Sequence, residues 1–170
     1  KPNGELFTQP SKIFEVENLK IGVIGVAAFI VDKVMPPSFA DDLKFTTGIE
    51  EVAAEVVKLK ENGVDLIILL SHNGLPQDFE LLKQVDGIDI CLSAHTHNRI
   101  YTALETNGAL VIQCGCHGSF MGQMRLNIED GKIASHQYKL HTINTTIVEN
   151  KEMKQLVDNA LMGYEDILTN

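Results

Sequence analysis

Three histidines offer the clearest chemistry in this sequence. His72 closes the apolar run VDLIILLS and is followed by Asn73 and Gly74. His95 and His97 stand two apart, directly after a second run, IDICLSA. Neutral imidazole is the commonest protein ligand for metal ions and suits Zn, Mn, Fe or Ni. Two histidines at this spacing share a face of an extended segment, and in a tight turn they can bracket two ions. Each histidine alone has an ordinary reading, since a lone His after a strand is usually a cap or core residue and His-x-His on a loop is usually solvated. All three at the same ends of two successive buried strands favour a common crevice. The pattern leaves a metal site and an ordinary polar loop both open.

The elements that must position them read as α/β. Residues 19–29 (LKIGVIGVAAF) form a near-continuous apolar run, the pattern of a strand buried on both faces. Gly22 and Gly25 within it do not make a dinucleotide fingerprint. Residues 32–45, with Pro36-Pro37 inside, read as an irregular loop. A helix is predicted over 47–62: Thr47 and Glu50 have capping-box spacing, Ile49, Val52, Ala53, Val56 and Leu59 make one apolar stripe, and Gly63 is a left-handed stop. Residues 64–70 and 88–93 are the next two buried strands, separated by a short helix over 77–85 and a turn at Asp86-Gly87. This alternation predicts right-handed crossovers and a largely parallel first half of the sheet. Ligands of such sheets gather beyond the carboxyl ends of the strands, where the three histidines lie. Residues 12–17 read as an edge strand, and 109–113, 121–129 and 132–140 as antiparallel strands without intervening helices. Asp130-Gly131 is a tight-hairpin signal. Residues 151–168 read as a terminal helix with Met153, Leu156, Val157, Ala160 and Leu161 near one face. There is no internal repeat.

Composition narrows the function classes. The 170 residues are 44% hydrophobic and 22% charged, as in a globular chain that can bury a sizeable core. Net charge is −9, which argues against nucleic acid as the main partner, because phosphate backbones require clustered Lys and Arg. It permits a small phosphate substrate, because bound cations supply local positive charge. The apolar runs at 21–31 and 64–70 are too short to span a bilayer, and no membrane partner is expected. No signal peptide opens the chain, whose Lys1-Pro2-Asn3-Gly4 start reads like the middle of a longer sequence. Cys91, Cys114 and Cys116 make an odd count without a disulfide framework. Cys91 reads as a buried small hydrophobe. The one-residue gap of Cys114-Gly115-Cys116 does not match the usual zinc spacings and argues against a thiol role.

Lys20-Ile21-Gly22-Val23-Ile24-Gly25, the run Val64 to Gly74 ending Ser71-His72-Asn73-Gly74, and Gly87-Ile88-Asp89-Ile90 leading to His95-Thr96-His97 resemble, in this order, the calcineurin-like metallophosphoesterases. The nearest branch is the 5'-nucleotidase and 2',3'-cyclic-nucleotide phosphodiesterase group. Gly115-Cys116-His117-Gly118-Ser119-Phe120-Met121-Gly122 resembles the turn that follows in that group, and the match runs over about residues 12–145. The resemblance implies part of a four-layer α/β/β/α sandwich with two divalent metal ions (Zn, Mn, Fe or Co). His72 and His95 would bind one ion and His97 the other, with Asn73 and His117 as candidates for contact with a small nucleotide substrate. Thiosulfohydrolases of sulfur oxidation, in the same superfamily, also carry "SHNG" and "GSHG" stretches.

The departures from the family matter. Its first half supplies an Asp-x-His pair, a bridging Asp and an Asn-His, and none of these occurs here. Ala94 stands where the family has Gly. The resemblance therefore implies that residues 1–148 are the C-terminal half of a catalytic domain whose N-terminal half is missing. Residues 149–170 would be a helix leading toward an absent C-terminal domain. No residue of this chain is assigned a catalytic role, one weakly bound ion or none is expected, and activity of the chain alone is expected to be poor or nil. A non-catalytic metal-binding or interaction module is the rival reading. Asp65 and Asp89 read as lying inside their strands rather than at the ends where the metals would lie, which makes them poor substitutes for the bridging carboxylate. His136 and His141 read as surface residues, and Arg99 as solvated. Many members of the family work outside the cell or at its surface, while three unpaired cysteines fit a cytoplasm equally, so localisation stays open.

Overall fold

In the computed structural model, the structure describes residues 8–28, 34–39, 43 and 45–164. Six strands make one mixed sheet in the order β1-β2-β3-β4-β6-β5: β1 (Ser11–Val16), β2 (Leu19–Ala27), β3 (Leu66–His72), β4 (Ile90–Ser93), β5 (Leu104–Thr106) and β6 (Ala109–Ile112). The strands β2, β3, β4 and β6 run parallel, while β1 and β5 pair antiparallel at the two edges. Helix α1 (Ile49–Glu61) crosses between β2 and β3, and α2 (Leu75–Gln84) between β3 and β4. The expected parallel half is present and extends further than the sequence indicated. Residues 109–113 were expected to be antiparallel, but β6 continues the parallel set, because the short β5 turns back on it and takes the edge.

Both helices lie on one face of the sheet. Alternate residues of the strands, Ile24, Ile67, Leu69, Cys91 and Val111, pack with Val52, Val56 and Leu59 of α1 and Leu81 and Leu82 of α2. The opposite face is open only toward the His72 end, where Leu70 is 45% and Leu92 37% exposed, while Leu66, Ile90, Leu110 and Ile112 on that face are buried. Asp65 and Asp89 stand just ahead of β3 and β4. Each accepts a backbone N–H of the neighbouring strand at 2.7 Å, from Lys20 and Ile67 respectively. They fix register at the end of the sheet away from the histidines.

The capping box is displaced. Gly48, in left-handed backbone, occupies the N-cap without a side-chain hydrogen bond. Thr46, not Thr47, does the work: its Oγ1 accepts from Gly48 N at 3.2 Å and donates to Glu51 at 2.8 Å. Gly63, with φ 69°, terminates the helix as expected. Helix α2 starts at Leu75, two residues ahead of the expected start, because Pro76 in its first turn costs no hydrogen bond there.

Beyond the sheet, β7 (Phe120–Glu129) and β8 (Lys132–Thr142) form a separate antiparallel hairpin. Its turn is Asp130-Gly131, with φ 50° and 70°, the two left-handed residues of a type I′ turn. Helix α3 (Lys151–Leu161) is capped by Asn150, whose side chain accepts from Met153 N at 2.9 Å. Its residues are all exposed. The expected helix ran to residue 168, and residues 165–170 lie outside those described, as do Phe29 and much of the loop at 32–45. Among the described residues no helix is long and apolar enough to cross a membrane.

Candidate metal centre

The parallel register sets Ser71 of β3 beside Ser93 of β4, so the residues that follow each strand emerge side by side. His72 is the last residue of β3, and His95 lies two past the end of β4. Their rings are edge to face with centroids 5.1 Å apart. His97 turns the other way and meets His117, with ring centroids 5.6 Å apart. Cys116 joins this second pair: donor atoms of His97, Cys116 and His117 all lie within 4.8 Å of one another. Five residues named by or adjacent to the sequence motifs thus fall into two small groups, His72 with His95 and His97 with His117 and Cys116. The one-residue gap between Cys114 and Cys116 matches no usual zinc spacing. Cys116 lies instead beside His97 of another loop and the adjacent His117.

Asn73 is 5% exposed, and among the described residues its Oδ1 has no hydrogen-bond partner. A buried amide oxygen beside His72 without a partner is costly unless something binds there. The backbone carries a second sign of constraint. His95, His97 and His117 have φ of 75°, 58° and 56°. Left-handed backbone costs an L-residue about 1–2 kcal/mol, and such costs concentrate at functional sites.

What holds these loops is polar and mostly absent from the sequence reading. Gln113, 2% exposed, follows β6 and reaches under the His-x-His loop. Its Nε2 donates to Ser93 Oγ at 2.8 Å and to the Ala94 carbonyl at 2.9 Å. Its Oε1 accepts from Asn98 N and, at 3.3 Å, from Thr96 Oγ1. Thr96 Oγ1 also accepts the Leu75 N–H at 3.1 Å, tying the start of α2 to the loop. Gly74 allows this approach: a Cβ there would lie 2.9 Å from Thr96 Cγ2, and its φ is 100°. The loop then pairs with the Cys-Gly-Cys-His turn, Ile100 N to Gln113 O at 3.0 Å and Gly115 N to Asn98 O at 2.8 Å. Arg99 lies over the Phe120 ring, 5.3 Å from its centroid. His136 is exposed, and His141 is half-buried against Gln123 at 3.0 Å.

Asp78 is fully buried beneath the site and accepts a hydrogen bond from Ser71 Oγ. Burial pushes its carboxyl above the ordinary range, opposed by hydrogen bonds from Ser71 and Ser93 and by the charge of His72. The folded chain therefore holds this proton more tightly than the unfolded chain. Stability from Asp78 is fully present below the unfolded value, near 4, and is lost as pH rises through the folded value. Asp78→Asn should show a smaller fall in thermal midpoint than the parent chain between pH 4 and 7. Parallel curves would refute the assignment. Cys91 is fully buried, and burial, with Asp78 nearby, pushes its thiol up, as fits a packing residue.

An open groove of about 460 Å³ lies beside His72, lined by Gly25, Ala27, Leu70, Leu92 and Ala94. A larger space, about 520 Å³, lies on the hairpin between Arg125, Lys139 and His141. None of the three strand-end histidines lines it.

The architecture is that of the calcineurin-like phosphoesterases. The structure matches the calcineurin-like phosphoesterase YfkN of Bacillus subtilis with a TM-score of 0.78 and 22% identity, covering 94% of this chain and 60% of that one. It matches the sulfate thiohydrolase SoxB of Thermus thermophilus with a TM-score of 0.85 and 23% identity, covering 92% of this chain and 29% of that one. These likenesses establish the fold. In sequence, the chain is 24% identical to a 5'-nucleotidase of Diplobatis ommata and 27% identical to an apyrase of Anopheles gambiae, over 85% and 91% of its length. It is homologous to the 5'-nucleotidases and apyrases over part of their length, spanning 28% and 32% of these two relatives. No family model matches the chain.

Proposed function

We propose that this chain supplies one side of a two-metal site that hydrolyses phosphoesters of nucleotides, the other side coming from an N-terminal half of the same domain. The convergence of His72 with His95 and of His97 with His117 at neighbouring strand ends carries this reading. The names of the homologous relatives supply the nucleotide.

The residues present fit divalent cations: two pairs of imidazoles and, at Asn73 next to His72, a buried amide oxygen without a partner among the described residues. His72 and His95 would hold one ion and His97 the other. Such ions, when bound, polarise the phosphoryl group and acidify a water. The chain's own residues orient and fix. Gln113 and Thr96 fix the loop that carries His95 and His97, and Ser71 and Asp78 fix the end of β3. Asn73 and His117 would contact phosphate oxygens. The open sheet face at Leu70 and Leu92 would take the second sheet of a four-layer sandwich. Residues 149–170 would then lead away from this domain.

Three histidines alone give at most two ligands to one ion and one to the other, and no carboxylate belongs to the cluster of donors found among the described residues. Hydrolysis with the ions about 3.5–4 Å apart needs more. With Mn, Zn or Co, the purified chain should turn over nucleotides and an aryl phosphate at the background rate. It should still bind inorganic phosphate and a nucleoside monophosphate in calorimetry, only with metal present and not as His95→Ala. Lack of metal-dependent phosphate binding defeats the reading. Robust turnover that vanishes in His95→Ala would defeat the incomplete site while supporting the hydrolase. A panel read for sulfate as well as phosphate release separates thiosulfohydrolase chemistry.

A further inference from the structure

We infer that the outer face of the β7–β8 hairpin binds a small oligophosphate, an anion with two or more linked phosphoryl groups, and that Arg125 and Lys139 are its charged anchors. The site lies apart from the strand-end histidines and requires neither a metal ion nor the hydrolase reading.

The hairpin has two unlike faces. Gly122, Met124, Tyr138 and Leu140 are half-buried, and Tyr138 Oη lies 3.7 Å from Cys114 Sγ, so this face turns toward the loop after β6. Gln123, Arg125, Gln137 and Lys139 alternate with them and are exposed on the other face. The register pairs Gln123 with Lys139 and Arg125 with Gln137. The two cations are therefore diagonal neighbours, with Cα atoms about 7–8 Å apart. The groove they border, about 520 Å³, falls within the roughly 300–1,000 Å³ of small-molecule sites. Among the described residues no carboxylate lines it, and neither the Arg125 nor the Lys139 side chain has an ion pair or hydrogen bond. Glu129, the acid on the same face of β7, is four residues from Arg125, about 14 Å along the strand. It accepts instead from Asn127 Nδ2 at 2.8 Å. Like charges at neighbouring cross-strand positions repel, so formation of the hairpin does not account for the pair. Nor does a generally basic surface, since the chain carries a net charge of −9.

The amides bordering the groove add donors. His141 Nε2 donates to Gln123 Oε1 at 3.0 Å, which leaves the Gln123 amide N–H groups for the groove, and Gln137 supplies a second amide. A guanidinium grips phosphoryl oxygens in a bidentate fork, while an ammonium acts as a point charge. Two such cations on a diagonal fit an anion whose charge is spread over linked phosphoryl groups, whereas a single phosphate engages one anchor at a time. The Tyr138 ring turns to the other face, so the groove offers a nucleobase no tyrosine to stack on. The site reads the phosphate chain, whether free or carried by a nucleoside.

Calorimetric titration of the purified chain with tripolyphosphate in EDTA tests it, because chelation removes the metal-dependent phosphate binding proposed above. Binding should saturate, weaken as salt is added, and be at least about tenfold tighter than that of orthophosphate. A nucleoside triphosphate should bind no tighter than tripolyphosphate. Arg125→Gln should weaken binding at least about tenfold, as for loss of a charged hydrogen-bond donor. Lys139→Glu, which gives Arg125 an ion-pair partner, should abolish it. His95→Ala should leave it unchanged. Both hairpin positions are exposed, and if one variant does not fold, as judged by circular dichroism, the other decides. No binding at about 1 mM tripolyphosphate, survival of full affinity in Arg125→Gln or Lys139→Glu, equal affinity for orthophosphate, or loss in His95→Ala overturns the site. A nucleoside triphosphate that binds where tripolyphosphate does not overturns it too, and would point to recognition of the base.

Discussion

Gln113→Leu should both melt early and lose metal. Leucine fits the volume but leaves the buried Ser93 hydroxyl, the Ala94 carbonyl and the Asn98 N–H without the partner they have in the parent chain. At about 1–3 kcal/mol for each orphaned group, with partial rescue by water, the loss is about 3–5 kcal/mol. For a chain of this size that corresponds to roughly 10 °C or more in thermal midpoint. Zinc affinity should fall by about 10–100-fold, as when a residue that orients ligands is removed. Circular dichroism melts and calorimetric zinc titration read the two effects. A variant that melts with the parent and binds zinc normally would show that Gln113 merely fills space.

Leu69→Ala should cost about 2–5 kcal/mol, the range for emptying a fully packed leucine site. Its neighbour Leu70, on the open face, should tolerate Ser with a change of about 0.5 kcal/mol. Leu69 is 0% and Leu70 45% exposed, although they are adjacent in a strand whose apolar pattern does not distinguish them. Urea unfolding of both variants measures the contrast. Equal costs would mean that the Leu70 face is covered in solution.

That pair shows where the sequence was legible and where it was not. Continuous apolar runs announced β2, β3 and β4, and the turn signals placed the hairpin at Asp130-Gly131. A run such as VDLIILL implies burial on both sides, yet on the face away from the helices Leu66 is buried and Leu70 is not. The parallel placement of β6 was hidden because three-residue β5 is too short to show a period. At the site, the strand-end histidines stood out because their type is rare and their positions repeat. Gln113 and Asp78 did not, since a glutamine after an apolar strand and an aspartate in a helix look like surface residues until tertiary packing buries them. Cys116 was missed because one of its two partners, His97, comes from a different loop, and spacing within one segment carries no information about that.

The left-handed turns at His95, His97 and His117 bear on how such a chain would change over generations. At these positions the backbone favours Gly, Asn or Asp over histidine. Histidine and asparagine codons differ by a single base, as do histidine and aspartate codons. Once selection for metal binding relaxes, replacement is therefore both mutationally near and conformationally downhill. Lineages in which the site has decayed should carry Asn, Asp or Gly at these three positions early, while His72, in ordinary strand backbone, drifts without that bias. Under the proposed metal-binding role, histidine at all three would be kept by selection on the ligands, against the local backbone preference.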